Sequence, residues 1–403
     1  HMNIGITIHL QEENESIWIN GIKLNAIYLL NALRLIGNNA YLLNTGPVSA
    51  PYEGKVTWDI DKFPIYDYLS KEKETDLMIW LGSTYTDEDI LNFKKTGKNK
   101  KVVKYICGSN YLNDTEAVMF GSGAKAAGYN QELDEAWYVP QQEELNREYY
   151  RVLHNLPANK VRPVPFIWDP MFLDETSIQY NNPDLLDGPI KVPLPVYVPG
   201  KANEDKHLAC FEPNIGLQKY HISNLLIASD YLKSGGTFSK LNIMCGADLL
   251  KNEYYVSVIK HTHIFNDDTN KLVYLPRLKA VDALAQFADI VLAHQHTNPL
   301  NYSYLDALYL QFPLVHNAPM IKDAGYYYHG FNISQGTRQL KQAIENHDDN
   351  IEEYNERSEK VLTRYTVFNE GLLETYKQLI ETTMGIKDHG LGGNYDWQTN
   401  LYK

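Results

Sequence analysis

The segment 294–317, HQHTNPLNYSYLDALYLQFPLVHN, decides the fold class predicted for this chain. A short apolar run at 290–293 precedes the segment and is typical of a buried strand. A polar loop then leads into a helix predicted to begin near Asn301 or Tyr302, and a second apolar run closes the segment as the next strand. Tyr302 and Asp306 share one face of the helix. Strand, loop, helix and strand in this order indicate a unit of a parallel α/β sheet.

The same segment has the chemistry of a site for a phosphorylated sugar or a nucleotide. Free amides and the dipole at a helix N-terminus favour a phosphate group. A carboxylate one turn into the helix, here Asp306, is able to accept hydrogen bonds from two adjacent hydroxyls. An ordinary β-α-β unit with a hydrophilic loop explains the spacing equally well, so the segment alone leaves both interpretations open.

Length and composition place the chain among soluble globular proteins. Its 403 residues predict two domains, and 44% of them are hydrophobic, enough for two cores. The formal charge of -13 argues against a general nucleic-acid coat but leaves room for one local basic groove. No apolar run reaches the roughly 18 residues of a membrane helix, and no signal peptide is apparent. We therefore expect a cytoplasmic protein without a membrane partner, in the host cytoplasm if a phage encodes it.

Strands and helices alternate in both halves of the sequence. This alternation predicts an α/β fold of two doubly wound, Rossmann-like domains that face a central cleft. We predict a first domain over 1–175, a second over 176–360, and a C-terminal helix and tail over 361–403 that pack back toward the first. Long helical patterns are predicted over 20–36 and over about 339–383. A proline-rich stretch at 174–205 is predicted to be an extended connector. Ligands of such sheets bind beyond the carboxyl ends of the strands, which favours the loops after Leu10, Cys107, Phe211, Met244 and Ala293.

A second segment of the latter half, 209–229, also combines a strand, a polar turn, a lysine and a helix. Lys219 stands just before or at the start of that helix. A lysine in this position is suited to meet a diphosphate as a point charge, supported by free amides. A surface lysine beside a turn is the alternative.

The order of these two segments resembles the second domain of nucleotide-sugar glycosyltransferases with the GT-B fold. In that family a basic residue before a helix holds the diphosphate, and a later helix carries an acid that binds ribose. The resemblance assigns the first role to Lys219 and the second to Asp306. The family's usual pair of glutamates is absent, because Asn298 stands near the first position and Asp306 replaces the second.

A resemblance over nearly the whole chain points to one particular family. The phrases ESIWINGIKLNAIYLL, PFIWDP, FEPNIGLQK, HQHTNPLNYSYLDALY, PLVHN and GYYY resemble an uncharacterised bacterial and phage family with a GT-B-like fold. The abundance of Asn, Lys and Tyr is also similar to T-even-like phage enzymes that place arabinose on hydroxymethylated cytosine in DNA. These resemblances imply a glycosyltransferase with a UDP-linked donor, which is UDP-arabinose in the phage case, and double-stranded DNA as the acceptor.

The loop after the first strand is predicted to contribute the acceptor side of the site. The strand is predicted to end at His9, and the loop continues through Glu12 to Trp18, Asn20 and Gly21. His9, Glu12 or Glu13 is a candidate general base if the reaction inverts the anomeric carbon. Asn20 and Gly21 allow the backbone to come close to a donor. A solvated acidic loop with Asn20 as a helix N-cap is the alternative.

The predicted activity is metal-independent glycosyl transfer, with no cofactor beside the nucleotide sugar. The Asp59 and Asp61 pair precedes a turn and is better explained by chance than by a metal site. The alternatives are a transferase for a bacterial surface glycan, a nucleotide-sugar epimerase or hydrolase, and a non-catalytic nucleotide-sugar binding protein. The predicted catalytic residues are His9, Glu12, Asn20 and Lys219. The predicted donor-binding residues are Trp18, Gly21, Asn214, Lys219, His294, Gln295, Asn298, Asn301, Tyr302 and Asp306.

Overall fold

Two compact units, each with its own parallel β-sheet, make up the fold. The computed structural model describes residues 2–17, 21–83, 85–121, 128–175, 178–180, 190–192 and 194–391. The first unit comprises His1–Asp169 and Arg364–Lys403, and the second comprises Pro170–Thr363. This architecture confirms the predicted fold class of two doubly wound α/β domains.

The first unit contains a seven-stranded sheet in which all pairs of neighbouring strands run parallel. Its central strands are apolar and buried along almost their whole length, as expected where helices cover both faces. The strands are β1 (Asn3–Ile8), β2 (Asn39–Asn44), β3 (Ile65–Asp67), β4 (Leu77–Trp80), β5 (Lys101–Ile106), β6 (Glu135–Tyr138) and β7 (Val161–Pro163). The helices between them are α1 (Gly21–Leu35), α2 (Asp87–Lys94), α3 (Asn110–Phe120) and α4 (Glu143–Leu153).

The second unit begins with α5 (Met171–Glu175) and a small antiparallel pair, β8 (Ile178–Tyr180) and β9 (Ile190–Val192). A six-stranded parallel sheet follows. Its strands are β10 (His207–Cys210), β11 (Lys240–Ile243), β12 (Leu272–Tyr274), β13 (Ile290–Leu292), β14 (Leu314–His316) and β15 (Tyr326–Tyr327). Its helices are α6 (Ile222–Lys233), α7 (Glu253–Ile259), α8 (Ala280–Phe287), α9 (Tyr302–Tyr309), α10 (Ile333–Glu345) and α11 (Ile351–Arg364).

The C-terminal part of the chain returns to the first unit through α12 (Glu370–Thr383). The buried hydroxyl of Tyr376 on this helix contacts the hydroxyl of Tyr105 at 2.9 Å and donates to the carbonyl of Pro165 at 2.5 Å. These bonds tie α12 to strand β5 and to the segment after β7.

Both large sheets reverse their strand order at one point. The first sheet has the order β3-β2-β1-β4-β5-β6-β7, and the second has β12-β11-β10-β13-β14-β15. The connections therefore run in opposite directions from β1 and β4, and likewise from β10 and β13. In doubly wound sheets such a switch point opens a crevice at the carboxyl ends of the two central strands, where ligands bind.

Two sequence-based expectations about secondary structure were wrong in detail. The last helical region, predicted over 339–383, consists of the three helices α10, α11 and α12, and it begins at Ile333. The stretch at 174–205, predicted as an extended connector, contains the paired strands β8 and β9. Prolines rule out a long helix there, but they permit short strands outside a central sheet position.

Candidate functional site

Glu212 links the two central strands of the second unit at their switch point. It follows β10 after one residue and is only 4% exposed. One carboxylate oxygen accepts the backbone N–H of His294, just past the end of β13, at 2.7 Å. The other accepts from the side-chain amide of Asn224 on α6 at 3.0 Å. The carboxylate therefore fixes where the loop after β13 leaves the sheet.

Lys219 interacts electrostatically with this carboxylate. Burial lowers the pKa of the Lys219 ammonium, an effect that the charge of Glu212 opposes and that of Arg277 increases. Burial also raises the pKa of Glu212 to about 7, against the opposing effects of its hydrogen bonds and of Lys219. An anionic ligand near Lys219 would favour the protonated lysine, so the site has a cation poised to gain from a phosphate.

The loop between β10 and α6 is held by Asn214. Its backbone has a φ of 60°, and its N–H donates to the carbonyl of Lys219 at 3.0 Å. The side-chain oxygen accepts the backbone N–H of His221 at 3.0 Å, and the side-chain amide contacts the carbonyl of Met244 at 3.3 Å. These bonds use the side chain to shape the loop that carries Lys219. The donor-binding role of Asn214 stays a prediction.

The loop after β13 is fixed by a network of amides. The backbone N–H of Gln295 donates to the side-chain oxygen of Asn317 at 2.9 Å, and the Gln295 amide returns a bond to the Asn317 carbonyl at 2.9 Å. The side-chain oxygen of Gln295 accepts the N–H of Asn298 at 2.9 Å. Asn298 in turn donates to the side chain of Asn301 at 2.6 Å. Four predicted donor-binding residues, including His294 at the start of the loop, thus lie along one connected segment.

Helix α9 presents the remaining predicted donor-binding residues of this unit. Asn301 is its N-cap and makes no side-chain cap bond, because its side chain bonds Asn298. Tyr302 begins the helix and is half-buried, whereas Asp306, one turn later, is 7% exposed. The helix therefore places its carboxylate in the protein interior. The role of Asp306 in binding ribose stays a prediction.

A cavity marks the switch point of the first unit as well. It has a volume of ≈ 130 Å³ and lies where β1, β4 and the first turn of α1 meet. His9 lines it and is itself exposed, with Nε2 3.1 Å from the side-chain oxygen of Gln11. Lys23 of α1 also lines it and pairs with Glu15. The cavity is lined by Thr7, Ile8, His9, Ile22, Lys23, Ala26, Leu81 and Gly82.

The other predicted residues of the first unit fall in different places. Glu12 is exposed in the loop after β1 and does not line the cavity. Gly21 is exposed as the first residue of α1, directly before the cavity residue Ile22. Trp18 and Asn20 lie outside the described residues. His9 is therefore the predicted base that the structure places at the cavity.

The loop carrying His9 is anchored by the end of β2. The buried side-chain oxygen of Asn44 accepts the backbone N–H of Leu10 at 3.0 Å and that of Gly46 at 2.9 Å. The two loops approach so closely that a Cβ on Gly46 would lie 2.1 Å from the carbonyl oxygen of Leu10. Only glycine fits at this crossing without a backbone shift.

Gly46→Ala is therefore expected to destabilise the first unit by about 2 kcal/mol, because an extra methyl group must displace backbone. The measurement is urea unfolding followed by tryptophan fluorescence, which Trp80 and Trp137 report from within this sheet. Gly108→Ala is the matched control, since a Cβ there meets nothing within 4 Å. Equal stability of the two variants would contradict the importance of this crossing.

Sequence reasoning missed three residues of the second site. Glu212 was passed over as a loop residue, although it follows a buried strand at the end where ligands bind. Asn317 and Tyr328 lie in the phrases PLVHN and GYYY, which carried the family resemblance but received no role. Their partners are His294 and the loop after β13, a relation that only the pairing of the strands reveals.

Two further features of the described residues concern membrane-spanning helices and metal-ion sites. No described helix is long and apolar enough to span a membrane. Within the same residues, His, Cys, Asp and Glu do not gather in groups of three or more that would hold a metal ion.

The structure is similar to glycosyltransferases over its whole length. It matches the catalytic domain of starch synthase IV from Arabidopsis thaliana, bound to ADP and acarbose, with a TM-score of 0.57, 9% identity and coverage of 95% of this chain and 99% of that one. An α-glucosyltransferase in complex with UDP and a 13-mer DNA containing a HMU base matches with a TM-score of 0.54 and 10% identity. The match covers 95% of this chain and 99% of that one. The apo structure of OtsA matches with a TM-score of 0.51, 11% identity and coverage of 95% of this chain and 99% of that one. The fold is that of the GT-B glycosyltransferases.

Within this fold class the chain belongs to one family. The model of the family described as "Protein of unknown function (DUF2827)" matches residues 4–380. No curated protein matches the chain in sequence.

Proposed function

We propose that this protein is a glycosyltransferase whose second unit binds a nucleoside diphosphate sugar. The observation that carries the proposal is the meeting of Lys219, Glu212 and the loop after β13 at the switch point of a GT-B sheet. Lys219 supplies positive charge for a diphosphate, and the rigid amide network from His294 to Asn301 supplies hydrogen-bonding groups for the rest of the donor. Asp306 is proposed to accept from the ribose hydroxyls.

The proposed reaction needs charge stabilisation on the leaving group. An acceptor hydroxyl oxygen forms a bond to the anomeric carbon, and the bond from that carbon to the phosphate oxygen breaks. The nucleoside diphosphate leaves with the electron pair, and the hydroxyl proton passes to a base. Lys219 stabilises the negative charge that develops on the diphosphate, so the reaction is proposed to proceed without a metal ion. His9 is the proposed base if the anomeric configuration inverts.

For the substrates we propose a UDP-linked sugar, UDP-arabinose among the candidates, and 5-hydroxymethylcytosine in double-stranded phage DNA. Support comes from the sequence resemblance to phage arabinosyltransferases and from the fold shared with the DNA-bound α-glucosyltransferase. The overall charge of -13 requires that DNA contact a local basic groove. The modified base would have to leave the duplex to expose its hydroxymethyl group.

One experiment separates these substrates from their rivals. The full chain is incubated with EDTA and a panel of UDP-sugars, together with duplex DNA containing cytosine or hydroxymethylcytosine, with bacterial surface glycan, or without acceptor. Mass spectrometry of the nucleosides, the glycan and the donor measures transfer and turnover, and calorimetry measures donor binding. A sugar added only to the modified DNA is the expected result. Transfer to a bacterial surface glycan in place of DNA would favour the surface-glycan enzyme. Donor turnover without any acceptor would indicate an epimerase or hydrolase, and donor binding without turnover a non-catalytic protein.

A further inference from the structure

The imidazole of His294 is buried, and only one of its two nitrogens, Nδ1, has a hydrogen-bond partner among the described residues. The side chain is 3% exposed. Its Nδ1 lies 2.9 Å from the hydroxyl of Tyr328, and none of the described residues bonds its Nε2. A buried polar atom without a partner is costly, and Nε2 lies just past the carboxyl end of β13, where ligands of doubly wound sheets bind.

The hydrogen bonds around His294 determine which nitrogen carries the proton. The single hydroxyl proton of Tyr328 is donated to the carbonyl of Ala293 at 2.8 Å. That hydroxyl is then free only to accept, so the 2.9 Å contact to His294 requires a proton on Nδ1. The opposite assignment would leave two acceptors 2.8 Å apart without a proton between them.

Asn317 does not compete for this position. Its side-chain oxygen accepts the N–H of Gln295, which fixes the orientation of the amide. The two amide protons have carbonyl acceptors, Gln295 at 2.9 Å and Gly330 at 3.0 Å, and both are closer than Nδ1 of His294 at 3.2 Å. Nδ1 therefore keeps its proton.

The imidazole is also neutral at physiological pH. Burial lowers the pKa of His294 to about 4, with a smaller contribution from His296. A neutral ring protonated on Nδ1 leaves a lone pair on Nε2. The unpartnered Nε2 is therefore an acceptor for a hydroxyl or an N–H group. A phosphate at neutral pH offers mainly acceptor oxygens and is a poor partner for it.

An exposed aromatic ring lies against the same imidazole. The ring of Phe331 is 4.9 Å from that of His294 and 5.2 Å from that of His296, and Phe331 is 59% exposed. Apolar C–H faces pack well on such a ring, and a sugar combines those faces with hydroxyl donors. Acceptor nitrogen and aromatic ring together match a glycosyl group better than a phosphate.

We propose that Nε2 of His294 accepts a hydrogen bond from a hydroxyl of the transferred sugar, with Tyr328 as the positioning residue that fixes the tautomer. This inference rests on the proposed function, because the sugar is attached to the diphosphate assigned to Lys219. His294 is joined to that position through Glu212, which bonds its backbone N–H at 2.7 Å. Its role is to recognise the sugar, which differs from holding the phosphates.

The first test is the protonation state of the free protein. Nitrogen-15 NMR of the full chain labelled at histidine is expected to show His294 protonated on Nδ1 at pH 7. In Tyr328→Phe the bonded hydroxyl is gone, so the population protonated on Nε2 is expected to rise. A wild-type ring protonated on Nε2 would overturn the proposal.

The second test uses ligands and a conservative variant. Calorimetry first selects the tightest binder among UDP-glucose, UDP-galactose, UDP-N-acetylglucosamine and UDP-arabinose. His294→Asn keeps a donor near Tyr328 but has no Nε2, and it is expected to bind that nucleotide sugar about tenfold more weakly while binding UDP as the wild type does. His329→Asn is the matched control, because His329 is exposed and also contacts a tyrosine hydroxyl, that of Tyr327.

Deoxyfluoro analogues of the selected donor identify the hydroxyl, since fluorine does not donate a hydrogen bond. Fluorine at one position is expected to lower the affinity of the wild type for the donor about tenfold. The same substitution is expected to cause no further loss of affinity in His294→Asn. Equal affinity of wild type and variant for the nucleotide sugar would overturn this inference and leave the proposed function standing. Weaker binding of UDP by the variant would also overturn it, by assigning His294 to the nucleotide. Binding of no nucleotide sugar at all would overturn the proposed function itself.

Discussion

Lys219→Ala is expected to weaken the binding of UDP and of UDP-sugars by roughly ten- to a hundredfold. A hydrogen bond to a charged group contributes about 1.5–3 kcal/mol, and the loss is largest where the surroundings are dry. Lys219 meets that condition, because burial is the main cause of its lowered pKa. Calorimetry of the full chain with UDP measures the change directly.

Two further variants show whether the charge of Lys219 is what matters. Lys219→Arg keeps the charge and is expected to retain most of the affinity, with some loss from the altered shape. Lys322→Ala removes an exposed lysine of the same unit and is expected to bind UDP normally. UDP affinity in Lys219→Ala equal to that of Lys322→Ala would show that the diphosphate is bound elsewhere.

The elements that could be predicted from the sequence have either a long apolar pattern or a short apolar run with polar residues at its end. Helix α1 was expected over 20–36 and spans Gly21–Leu35, and strand β13 was expected over 290–293 and spans Ile290–Leu292. Continuous apolar runs mark strands covered on both faces, which is the condition in a doubly wound sheet. Two-residue β15 (Tyr326–Tyr327) lies below the length at which such a pattern can be recognised.

The site was only partly predictable, because side chains far apart in sequence meet there through strand order. Lys219 and the loop after β13 could be ranked by the rule that ligands bind at the carboxyl ends of strands. Glu212 satisfies the same rule, but its bond to His294 depends on β10 and β13 being neighbours. The order of strands in a sheet, and hence the pairing of β10 with β13, cannot be read directly from the sequence.

The burial of Glu212 predicts an unusual dependence of stability on pH. Its pKa in the folded chain is about 7, against a model value of 4.5. Below pH 4.5 the carboxyl is protonated in both states, so it contributes no pH dependence there. Between pH 4.5 and 7 the unfolded chain ionises while the folded chain keeps its proton, and the free energy of unfolding falls as pH rises. Each pKa unit corresponds to about 1.36 kcal/mol, which gives a decline of about 3 kcal/mol across the window.

Glu212→Gln is expected to remove this decline. The amide oxygen retains an acceptor for the N–H of His294, while the bond from Asn224, which also donates to the carbonyl of Leu292, is lost at every pH and does not alter the pH dependence. Residues 170–363 contain no tryptophan, so unfolding of the second unit is followed by alkylation of the buried Cys210 thiol in urea, quantified by peptide mass spectrometry. Rates are corrected with the fully unfolded chain at each pH.

The comparison of wild type and Glu212→Gln between pH 5 and 7.5 removes the contributions of the groups that both chains contain. The wild type is expected to lose about 2–3 kcal/mol more than the variant over this range. Glu204→Gln, at an exposed position in the same unit, is expected to follow the wild type. Parallel pH profiles for all three chains would mean that Glu212 ionises freely in the folded protein. Its bonds to His294 and Asn224 would then offset its burial, and the carboxylate would be present as a permanent anion beside Lys219.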